Sequence, residues 1–156
     1  KIKFIIEKKP LGTIGSLSLI KNMNQSIFVS NCDIIVKSSL EEIFHFHEDK
    51  KNDITIVTAA KNFTIPYGVC QTSLKGLFKN IEEKPSYSAL INTGLYVFKS
   101  SILRLIPKNR KFDINDLIEV AKKKKKKIGL FPISDESWLD IGQWNEYRLA
   151  VKKLEE

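Results

Sequence analysis

Apolar side chains in this chain fall mostly in short β-prone runs, and the glycines sit in the polar stretches between them. Runs at residues 2–6, Ile27–Ser30, 53–60, 90–98 and 128–133 are rich in Ile, Val, Phe and Thr and predict strands. The run at Ile27–Ser30 stops abruptly at Asn31-Cys32-Asp33. That is the pattern of a buried strand delivering a carboxylate to the rim of a sheet. Residues 67–70 and 76–81 flank a polar turn and predict an antiparallel pair, and Asn92-Thr93-Gly94 is expected to break the run at 90–98.

Helical spacing occurs at Leu40, Ile43, Phe44 and His47, after Ser38 and Ser39, with Glu41 and Glu42 placed as in a capping box. It recurs at Ile114, Leu117, Ile118 and Ala121, which Asp113 can cap, and at Trp144, Tyr147, Val151 and Leu154 near the end. A short helix is expected to start at Leu17, after the glycine-bearing loop 10–16. This order of elements predicts an α/β fold: a mixed sheet with helices on both faces.

With 156 residues the chain is long enough for one domain with a substantial core. A 42% hydrophobic and 28% charged composition excludes a disordered chain. No apolar run is long enough to span a bilayer, and no secretory signal opens the sequence. The net charge is +8, and residues 122–127 are all lysine. Cations there oppose the negative end of a helix dipole, and no aromatic is interleaved for base stacking. A solvated helix end is therefore expected, with neither nucleic acid nor membrane as partner. Cys32 and Cys70 show neither metal-ligand nor disulfide spacing, which fits a reducing cytoplasm. Cys32 reads as a small buried filler, and His45 and His47, which do not share a helix face, read as structural.

Four polar clusters carry the candidate chemistry. Asp33 and Asp140 each end an apolar stretch. Gly12-Thr13-Ile14-Gly15 frees backbone N–H groups ahead of a helix, as nucleotide-binding loops do, without matching a Walker or dinucleotide pattern. In Glu82-Glu83-Lys84-Pro85, the proline is expected to hold Lys84 extended and so aim its amine. Asn92-Thr93-Gly94 is the fourth. Singly, each is as well explained by a turn, a cap or a solvated surface. Together, carboxylates, a lysine and glycines on separate strand ends suit a phosphorylated ligand held through Mg²⁺.

In this order the motifs resemble the sugar-1-phosphate nucleotidyltransferase family. The residues are Pro10-Leu11-Gly12-Thr13-Ile14-Gly15-Ser16-Leu17, Val29-Ser30-Asn31-Cys32-Asp33, Pro66-Tyr67-Gly68-Val69, Glu83-Lys84-Pro85, Asn92-Thr93-Gly94-Leu95-Tyr96 and Trp138-Leu139-Asp140-Ile141-Gly142-Gln143. The last most resembles the mannose-1-phosphate guanylyltransferase branch. The resemblance implies a Rossmann-like, glycosyltransferase-A-type fold. It implies attack of a sugar 1-phosphate on the α-phosphorus of an NTP, giving an NDP-sugar and pyrophosphate. It also implies roles. Asp33 and Asp140 would bind Mg²⁺ and, with Lys84, form the catalytic set. Gly12 and Thr13 would bind the nucleotide, and Gly68, Glu83 and Asn92 the sugar.

The family's glycine-rich triphosphate loop with its arginine is missing from this sequence. The expectation is a nucleotidyltransferase domain over residues 1–156 lacking its first βα unit, active in a longer parent and inactive alone. The partners expected are an NTP and a sugar 1-phosphate, with homo-oligomerisation allowed. The rival reading is a non-catalytic sugar-nucleotide-binding or regulatory homologue. Neither the base nor the sugar is identified by these residues.

Overall fold

The computed structural model describes residues 2–21 and 23–142. The closing helix expected at Trp144 to Leu154 lies outside them. The elements run β1 (Ile27–Ser30), β2 (Ile34–Val36), α1 (Leu40–Asp49), β3 (Ile54–Thr64), β4 (Val69–Thr72), β5 (Phe78–Glu82), β6 (Ser86–Phe98), α2 (Ile114–Lys123), β7 (Ile128–Ser134) and β8 (Trp138–Asp140). Short 3-10 turns lie at Gly15–Leu19, Ser100–Leu105 and Asp135–Ser137.

Four strands form the central sheet in the order β1-β6-β3-β7. β6 is antiparallel to both β1 and β3, and β7 is parallel to β3, so the sheet is mixed as expected. Alternation along β6 sends Tyr96 and Phe98 to one face and Leu95 and Val97 to the other. The first face meets Leu117 and Ala121 of α2, with Ile102, Leu103 and Ile106 from the second 3-10 turn and the residue after it. The second face meets Ile43 of α1, together with Val57, Ala59 and Ile133. Phe98, Ile43 and Leu117 are fully buried. Side chains of this kind each contribute roughly 1.5–3 kcal/mol by leaving water.

Both main helices begin where the polar residues predicted. Ser39 accepts a hydrogen bond from Glu42 N–H at 3.2 Å, so one half of the α1 capping box forms. At α2 the Asp116 carboxylate accepts from Asp113 N–H at 2.9 Å. The lysine block starts in the last turn of α2 and runs on into the connection to β7. Lys125 adopts φ 53°, as Lys51 after α1 adopts φ 52°. Each helix thus ends on a lysine in the left-handed region that glycine favours.

Three expectations are corrected. Residues 2–6 form no strand, because none of the described strands pairs with them; Phe4 and Ile6 are exposed. β1 is not buried but an edge strand, with Phe28 and Ser30 turned to solvent. Asn92-Thr93-Gly94 does not break β6. The strand runs through it, and a register shift opposite Ile56 and Thr58 absorbs the irregularity. β3 and β6 go on pairing beyond the ends of β1 and β7, from Lys61↔Ala89 to Thr64↔Ser86. This outer stretch is a largely exposed ribbon. The expected antiparallel pair, β4 with β5, lies between its two strands in sequence.

Candidate functional site

A cleft of about 410 Å³ opens where the connection after β1, the glycine loop at Thr13 and Ile14, the first residue of α2 and β8 meet the middle of β6. Thr13, Asp33, Asn92 and Asp140 all line it. Four of the predicted site residues, far apart in sequence, are therefore brought together.

The two carboxylates are placed by a small ladder. β2 pairs antiparallel with β8, with Ile34 opposite Asp140, and Ile141 N–H donates to the Asp33 carbonyl at 2.9 Å. A Cβ placed on Gly142 would stand 2.6 Å from Asp33 Oδ2 and 3.2 Å from Asp140 Oδ1. Both carboxylates thus face the space above one glycine, which can only be left open by a residue without a side chain. Gly142 N–H donates to Asp140 Oδ1 at 2.9 Å and fixes that group. Neither aspartate forms an ion pair among the described residues.

Two unpaired carboxylates side by side are a hard-oxygen donor set that a divalent cation would relieve. Among the described residues no group of three or more His, Cys, Asp or Glu could hold a metal. That count suits Mg²⁺, which typically takes one or two carboxylates and completes its shell with water and substrate phosphate oxygens.

The glycine loop is wedged against the start of α2. Thr13 N–H donates to Asp113 Oδ1 at 2.8 Å, and Thr13 Oγ1 accepts from Ile114 N–H at 3.0 Å. Gly12 has φ 82°, and a Cβ there would lie 2.6 Å from Asp113 Oδ1. Only glycine fits both conditions. Ile14 N–H donates to the Phe112 carbonyl at 3.3 Å and closes the same seam.

On β6 the Asn92 amide donates to the Tyr96 hydroxyl at 2.8 Å and accepts from Gly94 N–H at 3.2 Å. One donor hydrogen of Asn92 remains for a ligand. Burial pushes the Tyr96 phenol above its ordinary pKa, against the smaller opposing effect of the Asn92 hydrogen bond, so it stays a neutral hydroxyl. Gly94, at φ 85°, lies so close to Asn31 that a Cβ would meet the Asn31 Nδ2 at 2.6 Å. Trp138 Nε1–H donates to the Thr93 carbonyl at 3.1 Å and ties β8 to β6.

The remaining predicted residues are not on the cleft wall. Gly12 stands one residue behind Thr13. Gly68, Glu83 and Lys84 belong to the β4–β5 hairpin and its exit. There Gly68 backs onto Glu83, a Cβ on it being 3.0 Å from Glu83 Oε2. Lys84 is not extended, as the following proline led us to expect. It turns at φ 47°, while Pro85 is buried and its carbonyl accepts from Ile65 N–H at 3.0 Å. The turn from β5 into β6 dictates that conformation, at a cost of order 1–3 kcal/mol. Cys32 is exposed rather than buried, because the chain turns outward after β1. His47 is structural as expected, its Nδ1 lying 2.9 Å from Thr55 Oγ1 in the core. Sequence reasoning missed the roles of Asp113, Asn31, Tyr96 and Trp138 at the site.

A family model described as Nucleotidyl transferase matches residues 1–156. A mannose-1-phosphate guanyltransferase of Pichia angusta is 31% identical over 154 residues, covering 94% of this chain and 42% of that protein. The mannose-1-phosphate guanylyltransferase catalytic subunit beta of Drosophila pseudoobscura is 30% identical over 150 residues, covering 92% of this chain and 40% of that one. The chain thus spans less than half the length of these curated relatives. Among solved structures, HddC from Yersinia pseudotuberculosis superposes with a TM-score of 0.69 at 23% identity, covering 99% of this chain and 67% of that one. That likeness shows the fold.

Proposed function

The chain belongs to the nucleotidyl transferase family, the sugar-1-phosphate nucleotidyltransferases, and on that premise we propose that its cleft serves transfer of a nucleotidyl group from an NTP to a sugar 1-phosphate, giving an NDP-sugar and pyrophosphate in the intact protein. The observation that carries this reading is the convergence of Asp33 and Asp140 over Gly142, on a cleft also lined by Thr13 and Asn92.

Asp33 and Asp140 would hold Mg²⁺, which when bound supplies positive charge against the phosphates of both substrates. The rest of the work is positioning. The seam between Gly12-Thr13 and Asp113 fixes the loop proposed to meet the nucleotide. Asn92, oriented by Tyr96 and Gly94, offers its free N–H to a sugar hydroxyl. Glu83 and Gly68 would meet the sugar, and Lys84 the sugar phosphate, from the hairpin side. Catalysis of this kind rests on fixed geometry and charge neutralisation rather than on a protein nucleophile. Two free, exposed cysteines fit a reducing, cytoplasmic setting.

The test is pyrophosphate release by the intact protein with a panel of NTPs and sugar 1-phosphates. Asp33→Asn or Asp140→Asn should each lower turnover on the order of a hundredfold or more. Near-normal rates in both variants would defeat the assignment. Glu83→Ala should raise the KM for the sugar phosphate more than that for the NTP. The position of Lys84 outside the cleft favours a second reading, a non-catalytic sugar-nucleotide-binding homologue. Saturable binding of NDP-sugar without turnover by the wild-type protein would select it.

A further inference from the structure

A second hollow, of about 690 Å³, is larger than the cleft and shares no lining residue with it. Its walls mix apolar and polar side chains: Leu17 and Leu103 come from the first and second 3-10 turns, Ile20 and Ile106 from the residues just after them, and Ser18, Asn24 and Ser100 lie among them. Lys21, Arg104 and Lys108 line it and are exposed, and no acidic residue does. None of these three cations forms an ion pair among the described residues. Its polarity is thus opposite to that of the cleft, where carboxylates call for a metal before a phosphate can approach.

We infer that this hollow is a metal-independent binding site for a small organic phosphate with an apolar body. The volume lies in the range that encloses a small-molecule ligand. A guanidinium fork matches phosphate oxygens bidentately, and two lysines add mobile point charges. The Leu and Ile surface gives such a ligand an advantage over inorganic phosphate, because a ring or alkyl chain covers it. The hollow also touches the reaction proposed above. Leu17 and Ile20 lie four and seven residues after Thr13, and Leu103 and Ile106 share a core with Ile14. An occupant therefore bears on the turn that positions the cleft loop.

Calorimetric titration of the intact protein in EDTA tests this, with phenyl phosphate, octyl phosphate and inorganic phosphate as probes. Phenyl phosphate or octyl phosphate should bind saturably, and which binds more tightly tells whether the body is planar or aliphatic. Inorganic phosphate should bind at least tenfold more weakly. The double substitution Arg104→Gln with Lys108→Gln, both at exposed positions, should weaken binding about tenfold or more while leaving the melting curve unchanged. Asp33→Asn should leave it intact. Absence of saturable binding in EDTA, equal binding by the double variant, loss of binding on Asp33→Asn, or inorganic phosphate binding as tightly as both organic probes would overturn the inference. None of these outcomes depends on turnover, so the proposed reaction stands or falls separately.

Discussion

Thr13 and Asp113, a hundred positions apart, complete each other's turns: the Asp113 carboxylate accepts from Thr13 N–H, and the Thr13 hydroxyl accepts from the first amide of α2, Ile114 N–H. Asp113 thus gives its side chain to the loop, and Thr13 supplies part of the cap in return. Asp113→Ala should cost about 1–2 kcal/mol and Thr13→Val about 1 kcal/mol, while Thr13→Ser, which keeps the oxygen, stays near wild type. Gly12→Ala should cost more than either, since it adds left-handed strain to a clash with Asp113 Oδ1. Urea unfolding of the four variants would rank them, and a neutral Gly12→Ala would remove the seam from the account.

Gly142 separates two carboxylates by having no side chain. Gly142→Ala puts a methyl 2.6 Å from Asp33 Oδ2, into the space proposed for the cation. Turnover should fall by tenfold or more and the midpoint for Mg²⁺ activation should rise, with little change in unfolding free energy, because the residue is exposed. An unchanged Mg²⁺ midpoint would move the cation elsewhere.

His47 is almost fully buried, and burial lowers its pKa from 6.5, with Glu48 opposing the shift and Lys99 reinforcing it. The folded chain resists protonation that the unfolded chain accepts. The stability this contributes is therefore complete above pH 6.5 and declines as the pH falls below it, by at most about 1.4 kcal/mol per pH unit for one proton. Thermal midpoints at about pH 7.5 and about pH 5.5 measure it. His47→Gln should flatten the difference.

Lys125 and Lys51 occupy a left-handed conformation that glycine adopts at no steric cost. Lys125→Gly should stabilise the chain by about 1 kcal/mol, and Lys51→Gly by a similar amount. Loss of stability in both would show that the lysine charges at the helix ends outweigh the strain.

Much of this fold was legible because its signals are local. Ser39 and Asp113 mark helix starts, the stripe from Ile114 to Ala121 marks the α2 face, and the strand cores at 54–60 and 90–98 carry their own β-prone residues. Strand lengths were not legible, since β3 and β6 extend each other through backbone pairing that polar residues such as Asn62 and Ser88 permit but do not announce. Residues 2–6 show the converse: a β-prone run is no strand without a neighbour. At the site, Asp33, Asp140, Thr13 and Asn92 stood out by chemistry. Asp113 and Asn31 did not, because their roles come from contact with Thr13 and Gly94, and no short-range pattern encodes either contact.

The β2–β8 ladder also sets an order in time. Asp33 can meet Asp140 only after everything between them has been synthesised and folded back, and β3 likewise waits for β7 to complete its parallel edge. Pairings of such long sequence separation form late, since the intervening loop must lose its entropy first. β3 with β6 can pair earlier, while the carboxylate pair is still open. The β1-β6-β3 part of the sheet can therefore form first, and the space between the two carboxylates, proposed to hold the cation, is expected to take shape last, with the closing of the β2–β8 ladder.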